Sequence, residues 1–139
     1  LDPRAHVYDP AEGESRYALV FNRMSPSAYL RGGVQGMFFT VAYMAHLERL
    51  GVPVVNGLNG FSVEISKARQ LTLLESLGFG YPKARVINHP SKAVEATEGL
   101  GFPVVVKANI GGSGAGIVKF ENREVLAAAV AAGQRDFGV

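Results

Sequence analysis

The residues best suited to chemistry lie in one stretch: Val104-Val105-Val106-Lys107-Ala108-Asn109-Ile110, then Gly111, Gly112, Ser113, Gly114, Ala115 and Gly116, then Ile117-Val118. Four glycines and a serine fall within six positions. Without a Cβ, such residues let backbone N–H groups turn inward and approach an anion closely, so the loop predicts a polyphosphate ligand. The plain alternative is a hairpin connection with no ligand. A Walker loop would need Lys followed by Ser or Thr after its last glycine, and a dinucleotide fingerprint would open a helix. This loop runs into an apolar strand instead, which excludes both.

Lys107 closes the apolar run before the loop, where its ammonium can reach the same phosphates as the loop amides; otherwise it is a strand-end lysine snorkelling to water. Lys67 stands early in a predicted helix. At about 100° per residue it lies in line with Leu71 and Leu74, with Arg69, Thr72 and Ser76 opposite. A lysine on the apolar side calls for an anionic partner, although most helix lysines belong to a solvated face. The expectation is that both ammonium groups and the amides around Ser113 meet at one anionic pocket.

Arg23, Arg31 and Tyr29 fall in the loop after the first strand, where guanidinium forks would clamp a carboxylate substrate; a solvated polar loop is the alternative. His46 reads as a packed or capping histidine, Glu95 and Glu98 as solvated, and Phe38, Phe39 and Tyr43 as core. No residue is singled out as a catalytic acid, base or nucleophile.

The elements that must position these groups follow from spacing. Residues 1–14 lack periodicity and read as a tail or linker. Tyr17 to Phe21 predicts a strand, Val34 to Gly51 a helix and Val52 to Val55 a second strand, together a right-handed crossover in a small α/β layer spanning residues 15–58. A turn-rich break at Asn56 to Gly60 precedes a helix over residues 62–77 stopped by Gly78 and Gly80. Then come a strand at Ala84 to Ile87, a short helix at Pro90 to Leu100, strands at Pro103 to Lys107 and Gly116 to Phe120, and a helix at Asn122 to Ala132 capped by Asn122. Two antiparallel strands across a glycine loop with helices on one face make residues 59–139 an α+β unit, so the fold class is α/β plus α+β.

Composition narrows the function classes. The chain has 139 residues, 47% hydrophobic and 19% charged, which suits a globular protein with a core and excludes disorder. A formal charge of +2 with no basic run gives no footprint for nucleic acid. Cysteine is absent, and His6, His46 and His89 are too scattered for a metal site. The apolar stretch Val34 to Leu47 is too short for a bilayer of about 30 Å. Asp2, Arg4, Asp9 and Glu12 near the start argue against a secretory signal, so the expected location is cytoplasmic, with no membrane partner.

The apolar strand ending in Lys107, the Gly-Gly-Ser-Gly-Ala-Gly loop and a helix lysine about forty positions upstream resemble the ATP-grasp superfamily. Gly51-Val52-Pro53-Val54-Val55-Asn56, then Ser66-Lys67-Ala68, Leu74 to Gly78 and Tyr81-Pro82 resemble the run in RimK-type glutamate ligases. The resemblance covers residues 17–132 and departs at Ser66, where the family has aspartate. It implies that residues 15–58 are part of a pre-ATP-grasp domain and residues 59–139 an N-terminal ATP-grasp subdomain. By resemblance Lys67, Lys107 and Gly111 to Gly116, including Ser113 and Ala115, bind ATP, and a carboxylate is activated as an acyl-phosphate that an amine attacks.

The resemblance also implies magnesium, with ligands on a second subdomain expected beyond residue 139. The chain alone would then hold ATP but catalyse poorly. Implied partners are ATP, a carboxylate and an amine acceptor such as a protein tail; self-association into a homo-oligomer is compatible with it. A non-catalytic nucleotide-binding or assembly module is the rival class, and an α/β interaction domain without nucleotide a third.

Overall fold

Two short strands and the helix between them organise the first unit. The apolar spacing of Val34, Met37, Val41 and Met44 produces α1 (Val34–Arg49), which buries Met37, Met44 and Leu47. It ends at Gly51, whose φ of +70° suits glycine, with Gly51 N–H bonded to Glu48 O at 3.0 Å and Val52 N–H to Leu47 O at 3.0 Å. The strands are shorter than expected: β1 (Val20–Phe21) pairs in parallel with β2 (Val54–Val55), Val20 opposite Val54 and Phe21 opposite Val55. A 3-10 turn (Pro26–Arg31) fills part of the loop between β1 and α1. α2 (Leu58–Glu64) packs on α1 and contributes the fully buried Phe61.

The structure is a computed structural model describing residues 2–31, 33–111, 114 and 116–133. It divides into two units, Leu1–Gln70 and Leu71–Val139. The division falls inside α3 (Lys67–Ser76), which replaces the single helix expected over residues 62–77. That helix is broken because the Ser66 hydroxyl accepts the Arg69 N–H at 3.3 Å, an N-cap that restarts the chain as a new helix. Gln70 fastens the break by donating from Nε2 to Val63 O at 3.1 Å.

Residues 2–14 have no helix or strand, yet they lie along α1. The His6 ring packs edge-on to Tyr43 at 4.5 Å and Tyr8 lies 4.6 Å from His46. Arg49 donates to Pro10 O at 3.0 Å and also to Glu12 O.

In the second unit, β3 (Val104–Lys107) and β4 (Ile117–Phe120) form the expected antiparallel pair, with Val104 opposite Phe120 and Lys107 opposite Ile117. The short α4 (Ala93–Ala96), preceded by a 3-10 turn (Pro90–Lys92), and α5 (Arg123–Ala131) cover one face. Ala93, Val104, Phe120 and Leu126 form the core cluster, and Leu126 is fully buried. Burying a side chain of that size stabilises by about 1.5–3 kcal/mol. Asn122 caps α5 as its sequence predicts, its Oδ1 accepting Val125 N–H at 2.9 Å.

Two expectations need correction here. Residues 84–87 form no strand: Ile87 joins the edge of the core, but the segment has no ladder partner among the described residues. The helix expected over residues 90–100 is only the 3-10 turn and α4. The Thr97 hydroxyl bonds back to Val94 O at 2.7 Å, and Gly99 and Gly101 then take φ of +74° and +79°, which turns the chain out of the helix.

Candidate functional site

Strand alternation decides where Lys107 points. In β3–β4 the residues Val104, Val106, Val118 and Phe120 face the helices, leaving Val105, Lys107, Ile117 and Lys119 on the open face. Val105 is 49% and Ile117 45% exposed, so this face offers flat apolar surface flanked by two cations. The cations differ. Lys119 is paired with Glu121 at 2.7 Å, whereas Lys107 has no ion-pair partner among the described residues.

Beyond Lys107 the loop is closed at its neck by Ala108 N–H donating to Gly116 O at 2.8 Å. Gly111, Gly114 and Gly116 take φ of +140°, +78° and +67°, a backbone that side chains rarely adopt. A Cβ built on Gly114 would meet nothing within 4 Å, so space lies open beside the loop. Positive-φ backbone, open space and an uncommitted ammonium at the neck suit an anionic group such as a phosphate. Gly112, Ser113 and Ala115, expected in the same loop, lie outside the described residues.

Lys67 is the first residue of α3 and partly buried, as are Leu71 and Leu74, while Arg69, Thr72 and Ser76 are exposed. The helix face expected for it is therefore observed. Lys67 belongs to the first unit and Lys107 to the second. Among the described residues no group of three His, Asp or Glu side chains stands ready to hold a metal ion.

Arg23 stands two residues after β1, is exposed, and lines a cleft of about 690 Å³ in the first unit together with Phe21, Asn22, Met24, Phe39 and Met44. Arg31 ends the 3-10 turn, and its side chain lies outside the description.

Sequence reasoning missed two arrangements. Asn22 and Asn56 clamp the ends of β1 and β2, Asn22 Nδ2 donating to Asn56 O at 3.0 Å and Asn56 Nδ2 to Asn22 O at 3.3 Å; the signal was an asparagine directly after each apolar strand. The other is the cluster of His6, Tyr8, Phe39, Tyr43 and His46, in which the Nε2 atoms of both histidines are buried without a hydrogen-bond partner among the described residues. Burial pushes the His6 pKa down and Arg16 adds to this, while Glu12 opposes it. Glu12 also stands 3.7 Å from His46 Nε2.

Comparison with known proteins returns ATP-grasp enzymes of two kinds, and the chain belongs to the ATP-grasp superfamily, RimK-like in character. It is 32% identical over 100 residues to a D-alanine--D-alanine ligase of Pseudomonas putida, covering 71% of this chain and 30% of that protein. It is 34% identical over 95 residues to a probable alpha-L-glutamate ligase 2 of Shewanella frigidimarina, covering 68% and 32%. A D-alanine--D-alanine ligase of Albidiferax ferrireducens is 30% identical over 134 residues, covering 94% of this chain and 37% of that protein. The chain thus spans about a third of the length of the curated relatives it matches. No family model matches it. No helix among the described residues is long and apolar enough to cross a membrane.

Proposed function

We propose that this chain is the ATP-holding portion of a ligase that joins a carboxylate to an amine at the expense of ATP. The observation that carries the reading is the uncommitted Lys107 at the neck of a glycine loop, on the open face of a hairpin whose other cation is already paired. Lys107, Gly111, Gly114 and Gly116 would hold the phosphates, with Gly112, Ser113 and Ala115 completing the loop and Lys67 assigned to the same polyphosphate. Phosphoryl transfer asks mainly for positioning and charge neutralisation, which ammonium groups and oriented amides supply. Bound ATP would supply the phosphoryl group that turns the carboxylate into an acyl-phosphate.

Residues 15–58 would be part of a pre-ATP-grasp domain and residues 59–139 the N-terminal ATP-grasp subdomain. Magnesium would neutralise charge on the same phosphates. Arg23 and Arg31 would contact the carboxylate substrate, with glutamate the preferred amino acid, a protein tail an acceptor, and the cytoplasm the setting. Relatives named for D-alanine and for glutamate support an amino-acid substrate.

The Ser66 departure does not weaken the assignment of Lys67. Serine and aspartate are both strong N-caps, and Ser66 performs that role before Lys67. The test is a titration of the full-length polypeptide with Mg-ATP, followed at the amides of Gly111, Gly114 and Gly116, and an assay for ADP release dependent on an added amino acid. Saturable loop shifts with amino-acid-dependent turnover are expected. Loop shifts without turnover would favour a nucleotide-binding module, and no loop shifts would end the ATP assignment.

A further inference from the structure

α1 carries a second stripe beside the one that meets the core. Phe39, Tyr43 and His46 recur at helical spacing, and residues 2–14 lie along them. Within that segment Pro3, His6 and Tyr8 are half-buried, while Val7 is 85% exposed. The His6 ring meets Tyr43 at 4.5 Å and Phe39 at 6.0 Å, and the Tyr8 ring meets Tyr43 at 5.1 Å and His46 at 4.6 Å. Arg49 adds its bonds to Pro10 O and Glu12 O. The segment's own backbone bonds are local turns, Ala5 and His6 N–H to Asp2 O and Glu12 N–H to Asp9 O. Side chains therefore hold it on α1, and it can lift without breaking a helix or a sheet ladder.

The same strap walls the cleft beside β1. Asp2, Pro3, Arg4 and His6 line that cleft together with Arg23 and Met24 from the loop after the strand. Pro3 Cγ and Met24 Cε lie 3.5 and 3.9 Å from the point where a Cβ on Gly36 would stand, so the strap meets that loop across α1. Lifting the strap takes away one wall of the cleft and bares the Phe39–Tyr43 stripe to water.

His6 is the part of the strap that can sense acid. Its Nε2 is buried with no hydrogen-bond partner among the described residues. A neutral ring forgoes one bond there, whereas an imidazolium would bury a charge and leave an N–H donor unpaired. Of the charged groups around it, Arg16 opposes protonation and Glu12 favours it. Asp2 and Arg4 are paired with each other at 2.7 Å, and the Tyr43 hydroxyl, pushed up by burial, stays neutral. Glu12 also stands 3.7 Å from His46 Nε2. Burial is the largest influence and holds the His6 pKa below its ordinary 6.5. A lifted strap puts the ring in water, where it takes the proton more readily.

We propose that residues 2–14 are a strap latched on α1 by His6, closed at neutral pH and released by mild acid, and that its release opens the cleft beside β1. The latch asks nothing of ATP, so it stands apart from the ligase reading.

The test is NMR of the full-length polypeptide from pH 8 to pH 5. Ring-current shifts of Tyr8 and Phe39, and the cross-peak between Pro3 and Met24, give the ratio of closed to open strap. That ratio is level from pH 8 to pH 7, because the closed and open forms then bind the same protons at His6. Below pH 6.5 it falls, by at most about tenfold per pH unit for one proton taken up. The amide signals of α1 keep their positions throughout. His6→Phe keeps a ring on the stripe without a titrating nitrogen and makes the ratio level over the whole range; His6→Gln does the same with a smaller side chain. Arg49→Gln lowers the ratio about threefold to tenfold at every pH and leaves the acid slope as in the parent.

A ratio that stays level from pH 8 to pH 5 in both the parent and Arg49→Gln overturns the proposal, as does an equal fall in His6→Phe and His6→Gln. Release of the Tyr8 ring while Pro3 keeps its contact with Met24 overturns the opening of the cleft. Collapse of the α1 amide signals together with the strap overturns the latch, since acid would then be unfolding the whole unit.

Discussion

Replacing Gly116 by alanine tests whether loop backbone, and not glycine flexibility alone, serves the anion. Gly116 is buried at φ +67°, and its carbonyl accepts the 2.8 Å bond from Ala108 that closes the neck. An L-residue in the left-handed region costs about 1–2 kcal/mol. Alanine must bear that cost or move away and lose the closing bond, worth about 1 kcal/mol. If ATP binds the closed neck, a penalty of about 1–2 kcal/mol corresponds to a 5–30-fold rise in Kd. Isothermal titration of the full-length polypeptide with Mg-ATP measures it, with circular dichroism to confirm the fold. Asparagine enters the left-handed region more readily, so Gly116→Asn should weaken binding less than Gly116→Ala despite its larger side chain. Binding within twofold of the parent for Gly116→Ala, or worse binding for Gly116→Asn than for Gly116→Ala, would refute the backbone argument.

Other outcomes follow from the same structure. Leu126→Ala, at a fully buried position, should destabilise the second unit by about 2–5 kcal/mol in urea unfolding, while Val125→Ala, 51% exposed, should cost far less. Asn122→Ala removes the cap on α5 and should cost about 1 kcal/mol, with Asn122→Asp restoring most of it. His6 has its folded pKa held below its ordinary 6.5, so the unfolded chain binds more protons just under that value. Its contribution to stability is therefore complete above pH 6.5 and lost as pH falls. Urea midpoints one unit either side should show the loss, and His6→Gln should shrink it.

The parts of the fold legible in the sequence were those where local signals agree. The Val104 to Val106 run, the glycines and the Asn122 cap each point to the same strand–loop–strand–helix order, and the structure has it. Lys107 and the loop glycines could be singled out because alternation and missing Cβ atoms are local properties. The break at Ser66 was hidden because its cap competes with helix continuation, and Leu71 and Leu74 keep the period running. Residues 84–87 have strand-like composition, but a strand is defined by its neighbour, which spacing cannot supply. Residues 2–14 read as a linker for want of periodicity, while their attachment to α1 comes from ring packing of His6 and Tyr8. The asparagine clamp depends on β1 and β2 lying side by side in register, information that neither strand holds alone.

The most direct measurement compares Mg-ATP affinity of the full-length polypeptide with Lys107→Ala and Lys119→Ala, two lysines on the same open face of one hairpin. A charge-assisted bond to phosphate is worth about 1.5–3 kcal/mol, so Lys107→Ala should raise Kd about tenfold to a hundredfold. Lys119, held by Glu121 at 2.7 Å, should change it less than twofold. Equal losses from both, or none from either, would contradict the assignment of Lys107 to the phosphates.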